Sequence, residues 1–181
     1  MIHSLQFHTL KCTCGHASCL TIHGYYSRHL KTPNGVIPLR ICRVYCHVCH
    51  KTHALLPSSL VPYSQISAPE QADIILRYLN RQSQNPAMEH NPYIDESCIR
   101  HIIRSYLLYF KERLLSFRIL LVPFSRLTHL CFSYFGRQFM QVKCTPNTLF
   151  LNTTSPDTTA PPYRFILYPY ITKRRFFYDP E

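Results

Sequence analysis

Lys11-Cys12-Thr13-Cys14-Gly15-His16-Ala17-Ser18-Cys19 and, after a strand-forming excursion, Cys46-His47-Val48-Cys49-His50 are the two stretches on which this chain turns. Two thiol clusters joined by β-forming residues are the pattern of a zinc ribbon, each cluster supplying half of a tetrahedral thiolate cage. The second cluster has the Cys-x-x-Cys spacing that lets two sulfurs converge on one ion. The first offers three thiols for two places. Cys14 and Cys19 are the preferred partners of Cys46 and Cys49, because Gly15 can supply the turn after Cys14, and Cys12 is the reserve ligand. One structural Zn2+ is the cofactor expected, and four sulfurs leave no place for His16 or His50.

Other readings of the thiols are weaker. The nine cysteines invite disulfides, but the start Met1-Ile2-His3-Ser4 has no charged and apolar export signal, so a cytoplasmic location is expected. Cys46-His47-Val48-Cys49-His50 also fits the short c-type haem pattern, which loses weight without export and with partner thiols upstream. Cys42, Cys98, Cys131 and Cys144 are expected as packed apolar thiols.

Outward from the clusters, Leu20 to Arg28 and Val36 to Tyr45 read as strands, and Asn34-Gly35 between them as a tight hairpin turn. Residues 4–10 alternate like a further strand. On the second hairpin strand Leu39, Ile41, Arg43 and Tyr45 share one face and Arg40, Cys42 and Val44 the other. Charge is distributed unevenly: the chain has 181 residues, 20 Lys and Arg against 9 Asp and Glu, and a formal charge of +11. No acid precedes Glu70, so the ribbon is purely cationic. That excess points to a polyanionic partner, above all nucleic acid. Arg28, Lys31, Arg40 and Arg43 are the candidate phosphate contacts, with Tyr25 available to stack and Arg100 and Arg104 as further cations on a helix.

His23-Gly24-Tyr25-Tyr26-Ser27-Arg28, the run from Arg40 to Cys49, and Thr52-His53-Ala54-Leu55-Leu56-Pro57 resemble the zinc-ribbon heads of insertion-sequence transposases. They resemble more closely a family of small bacterial proteins of unassigned function, common in clostridia, that carry such a head. Val61 to Ile66, Asn91 to Ser97 and Arg137 to Gln141 extend the resemblance over residues 10–150. The usual head opens Cys-x-x-Cys-Gly, whereas here Cys12-x-Cys14-Gly15 departs from it. The resemblance implies a link to mobile elements, and DNA rather than RNA.

Beyond Pro57 and Pro62 the hydrophobic period becomes helical. Ser67-Ala68-Pro69-Glu70 is a capping box that starts one helix. Asp95 is placed to cap a second helix that runs to about Ser116, and Ser125 a third that ends before Gly136. From Thr145 on, Pro, Thr and Ser dominate, and the end is a basic-aromatic tail. The expectation is an α+β chain: a β-rich zinc ribbon over 1–57, a small helix-turn-helix-like helical region over 65–142, and a poorly ordered tail over 143–181.

No run of about 18 uncharged apolar residues offers a membrane span. The nine acids form no recognisable catalytic set, so the chain is expected not to be an enzyme, with no small-molecule substrate. Three roles remain. The first is a non-catalytic, zinc-stabilised nucleic-acid-binding protein. The second is an interaction module that docks a transposase or another protein, and the third is a truncated transposase remnant.

Overall fold

The computed structural model describes residues 9–80 and 92–151. An N-terminal sheet is followed by helices, in the order β1 (Leu20–Thr32), β2 (Gly35–Cys46), β3 (Thr52–Pro57), α1 (Ala68–Leu79), α2 (Glu96–Tyr109), α3 (Lys111–Ser116), α4 (Phe124–Phe135) and β4 (Thr148–Leu151). The α+β architecture is thus as the hydrophobic periods predict.

β1 and β2 pair antiparallel from Leu20 opposite Cys46 to Thr32 opposite Gly35, with one bulge between Ile22 and Gly24. The hairpin turn is where it is expected, but Pro33 and Asn34 form its centre. Gly35 takes the positive φ of 133° as the first residue of β2. The Thr32 hydroxyl donates to the Gly35 carbonyl at 2.8 Å and accepts from the Asn34 amide at 3.3 Å, locking the turn.

Opposed residues of an antiparallel pair share a face. One face carries Leu20, Val44 and Cys46 of the hairpin with Leu55 of β3, and the partly buried Leu149 and Leu151 pack against them. The other carries Ile41 with Leu56 and Leu60, and the partly buried Phe150 joins there. Both sheet faces are therefore covered near β3. The Phe150 ring meets that of Phe132 on α4 at 5.1 Å, joining the second face to the helices.

β4 lies parallel to β3, with Leu55 opposite Leu149. Parallel neighbours need a long crossover, and here the helical region is that crossover. Residues 148–151, assigned from sequence to the tail, are therefore a sheet strand. Their four-residue apolar run was masked by the Pro- and Thr-rich composition around it. Residues 152–181 of the expected tail lie outside the described residues, as do residues 4–8 of the expected first strand.

The helices enclose the larger core, in which Ile74, Ile75, Ile99, Leu127 and Phe139 are fully buried. The Ser67 hydroxyl accepts from the Glu70 amide at 3.3 Å, as the capping box predicts. The second predicted helix is broken at Phe110, whose φ of −119° separates α2 from α3. Its ring is buried edge-on against Phe139 at 5.6 Å, a tertiary contact that local periodicity does not encode. Pro123, not Ser125, occupies the cap position of α4, and Gly136 ends that helix with a left-handed φ of 62°.

Candidate metal centre

Two short turns bring the sulfurs together. In the first, the Gly15 amide donates to the Cys12 carbonyl and the Cys12 amide to the His16 carbonyl, both at 2.9 Å. In the second, the Cys46 amide donates to the Lys51 carbonyl and the His50 amide to the Cys46 carbonyl. The Cys49 amide points at Cys46 Sγ at 3.5 Å. Because the second turn follows directly on β2, the sheet register fixes where its thiols sit.

The ligand atoms of Cys12, Cys14, Cys46 and Cys49 lie within 4.8 Å of one another. Cys12 Sγ is 3.6 Å from Cys49 Sγ, and Cys14 Sγ is 3.8 Å from Cys46 Sγ. A tetrahedral cage with metal–sulfur bonds of about 2.3 Å has sulfur–sulfur edges of about 3.8 Å. Two edges of the quartet thus match a tetrahedral thiolate site, and four cysteines are in range to hold a metal ion.

This is not the preferred set read from the sequence. Cys12, the reserve, is in the quartet, and Cys19 is outside it, although Cys19 Sγ is only 3.4 Å from Cys46 Sγ. Cys19 opens the sheet, its carbonyl accepting from the His47 amide at 3.0 Å, and its thiol points to the His16 carbonyl at 3.3 Å. The closed loop from Cys12 to His16 is what carries Cys12 inward, a fold that sequence spacing alone did not reveal.

Electrostatics divide the thiols. Burial pushes Cys12 up to about 12. Burial also opposes ionisation of Cys46, but the Cys49 and Val48 amides and the thiols of Cys19 and Cys49 outweigh it and bring Cys46 down to about 6. Cys14 is exposed and is held below the usual thiol range by the His16 backbone and its ring, whose Nδ1 lies 3.5 Å away. The same contact raises the His16 imidazole.

His53 was missed as a site residue. It is fully buried on β3, and its Nε2 lies 3.2 Å from Cys12 Sγ. Burial foremost, then the Lys51 charge, lowers its pKa and favours the neutral ring. Strand alternation could have found it, since His53 stands opposite Val44 on the face that carries Cys46. His50 instead bonds the Tyr45 hydroxyl through Nδ1 at 2.9 Å.

Of the other thiols, Cys42 and Cys131 are buried as expected. Cys144 is exposed, correcting its reading as a packed thiol.

The candidate nucleic-acid contacts fall into two groups. Arg28 donates to the Val61 carbonyl at 2.7 Å, and Lys31 pairs with Asp95 at 2.5 Å, so both tie the hairpin to the segment around the helices. Asp95 sits at the N-cap position of α2 but gives its carboxylate to Lys31 and makes no side-chain cap bond. Arg40 and Arg43 are exposed on opposite faces of β2. The Arg40 guanidinium lies 5.0 Å over the Tyr25 ring. On α2, Arg100 pairs loosely with Glu96 at 3.5 Å, and Arg104 is exposed.

The stretches around Ser64 and Gln138 form internal hydrogen-bonded turns. Gln71 Nε2 donates to Ser64 Oγ and to the Ile66 carbonyl, and Gln141 accepts from the Gln138 amide and donates to Thr145. No helix among the described residues is long and apolar enough to cross a membrane.

A family model described as a domain of unknown function (DUF6431) matches residues 12–102, which include all four sulfurs of the quartet. No curated protein matches the chain, and neither does any solved structure.

Proposed function

We propose, from the premise that the chain belongs to the DUF6431 family, that it is a zinc-stabilised, non-catalytic protein that binds nucleic acid, with DNA the favoured form. The observation that carries the zinc assignment is the quartet itself: sulfur edges of 3.6 and 3.8 Å against the tetrahedral value of about 3.8 Å. Four thiolates are the donor set of a structural zinc site, because they fill every coordination position and leave none for water or substrate. The ion's role is then to hold a sheet.

That sheet carries cations without acids, and Arg40, over the Tyr25 ring, and Arg43 are exposed at its surface to meet phosphate. A duplex titration at two salt concentrations tests this. Neutralising several phosphates gives affinity that falls steeply as salt rises. No binding at low salt, or affinity indifferent to salt, removes the reading. The link to transposase heads and mobile elements rests on the resemblance of residues 10–150 and belongs to the proposal.

One observation favours a protein partner as the second reading. The helical region leaves Leu108, Leu115 and Leu120 exposed by 62%, 60% and 72%, and large exposed apolar side chains in one region are a mark of interaction surfaces. A partner that stays bound through nuclease and high salt supports that reading.

A further inference from the structure

The quartet has a fifth sulfur beside it. We propose that Cys19 is a second claimant to the corner held by Cys14, so that either of two four-sulfur sets carries the metal, both sharing Cys12, Cys46 and Cys49. The inference rests on the metal-binding reading and goes beyond it.

Cys14 and Cys19 both approach the same neighbour. Their sulfurs lie 3.8 and 3.4 Å from Cys46 Sγ, each close to one tetrahedral edge. Cys12, 3.6 Å from Cys49 Sγ, is buried with His53 Nε2 3.2 Å from its sulfur, whereas Cys14 is exposed, so of these two Cys14 is the sulfur placed to leave. The competing thiols differ in setting. Cys14 is exposed, on a loop where Gly15 adopts a φ of 91°. Cys19 is buried just before β1, where its carbonyl accepts from the His47 amide. Exchange therefore asks for adjustment of the loop between them and leaves the sheet register intact.

In the exchange, the Cys19 thiol loses its proton to solvent as its sulfur–metal bond forms. The Cys14–metal bond breaks, and the released thiolate takes up a proton. The metal keeps its charge and its four sulfurs. The consequence is that Cys14, the sulfur most open to electrophiles, can be modified without loss of the ion.

Cobalt(II) loaded into the reduced full chain reads the donor set directly through its thiolate charge-transfer absorption. Cys14→Ser and Cys19→Ser are each expected to keep the four-sulfur spectrum and the unaltered chain's resistance to a chelator. The double variant is expected to lose about a quarter of the charge-transfer intensity, as four sulfurs become three, and to release cobalt more readily. A single variant that already matches the double overturns the proposal. A measurement that needs no variant is alkylation of the cobalt-loaded chain with iodoacetamide. Modification at Cys14 with cobalt retained supports exchange, and cobalt release in step with Cys14 modification overturns it. If the unaltered chain takes up no cobalt, the metal reading itself falls, an outcome distinct from failure of the exchange alone.

Discussion

The sheet and the helical region are held together by different physics. Among the described residues, the helical region gathers nineteen buried residues into one apolar cluster, whereas the sheet has clusters of seven and three on its two faces. Three of the seven are themselves cysteines of the thiol group or its neighbour, namely Cys12, Cys19 and Cys46. Burial of a large aliphatic side chain contributes about 1.5–3 kcal/mol, so the helices have a self-sufficient source of stability and the sheet has little. A metal held by the quartet would supply what the sheet lacks: a structural zinc in small finger systems contributes on the order of 10–16 kcal/mol.

The sharpest way to break this comparison is to remove the metal. Chelation, or Cys46→Ser, is expected to expose the amides of β1–β3 to hydrogen exchange while those of α1 and α2 stay protected. Equal loss of protection in both regions would show that the sheet and the helices are one cooperative unit. Acid should act in the same direction as chelation: protons compete with metal for thiolates, so metal content measured across a pH series is expected to fall as pH falls.

The reciprocal change is in the apolar core. Phe110→Ala removes a buried ring packed on Phe139 and is expected to cost about 3–5 kcal/mol in denaturant melts, with metal stoichiometry unchanged. Loss of metal alongside would tie the two regions together.

Smaller effects sharpen the contrast at the surface. Arg40→Ala with Arg43→Ala is expected to lower the slope of log affinity against log salt by about two. Arg28→Ala should leave that slope alone and destabilise the fold, because its guanidinium serves the Val61 carbonyl. A slope change from Arg28→Ala equal to that from Arg40→Ala would reverse the assignment.

The smallest effect is expected from Asp95→Asn. Lys31, through its hydrogen bond and then its charge, holds the Asp95 carboxyl below its ordinary range. The folded state therefore binds that proton less readily than the unfolded one. The contribution is present above the unfolded carboxylate pKa of about 3.9 and is lost as pH falls through the folded value. The stability gap between wild type and Asp95→Asn should accordingly close on acidification.

Legibility in the sequence followed the range of the interactions involved. The β1–β2 hairpin, the Ser67 cap and the Cys46–Cys49 turn rest on residues a few positions apart, and each could be read directly. The choice among Cys12, Cys14 and Cys19 could not, because it depends on a loop that closes through backbone hydrogen bonds. Arg28 and Lys31 looked like free cations for the same reason: their partners at Val61 and Asp95 are distant in the chain. His53 sat inside a recognised phrase, yet its role beside Cys12 appears only when β3 is placed against β2.

By itself, the sequence determined that two thiol clusters flank a cationic, acid-free hairpin and that helices follow it. These are matters of composition, spacing and period, which local chemistry dictates. Only the tertiary structure decided which sulfurs meet, which arginines are spent on internal bonds, and that residues 148–151 return to the sheet as β4. Each of these depends on where distant segments come to lie, and that is set by the register of the sheet and the crossover through the helices.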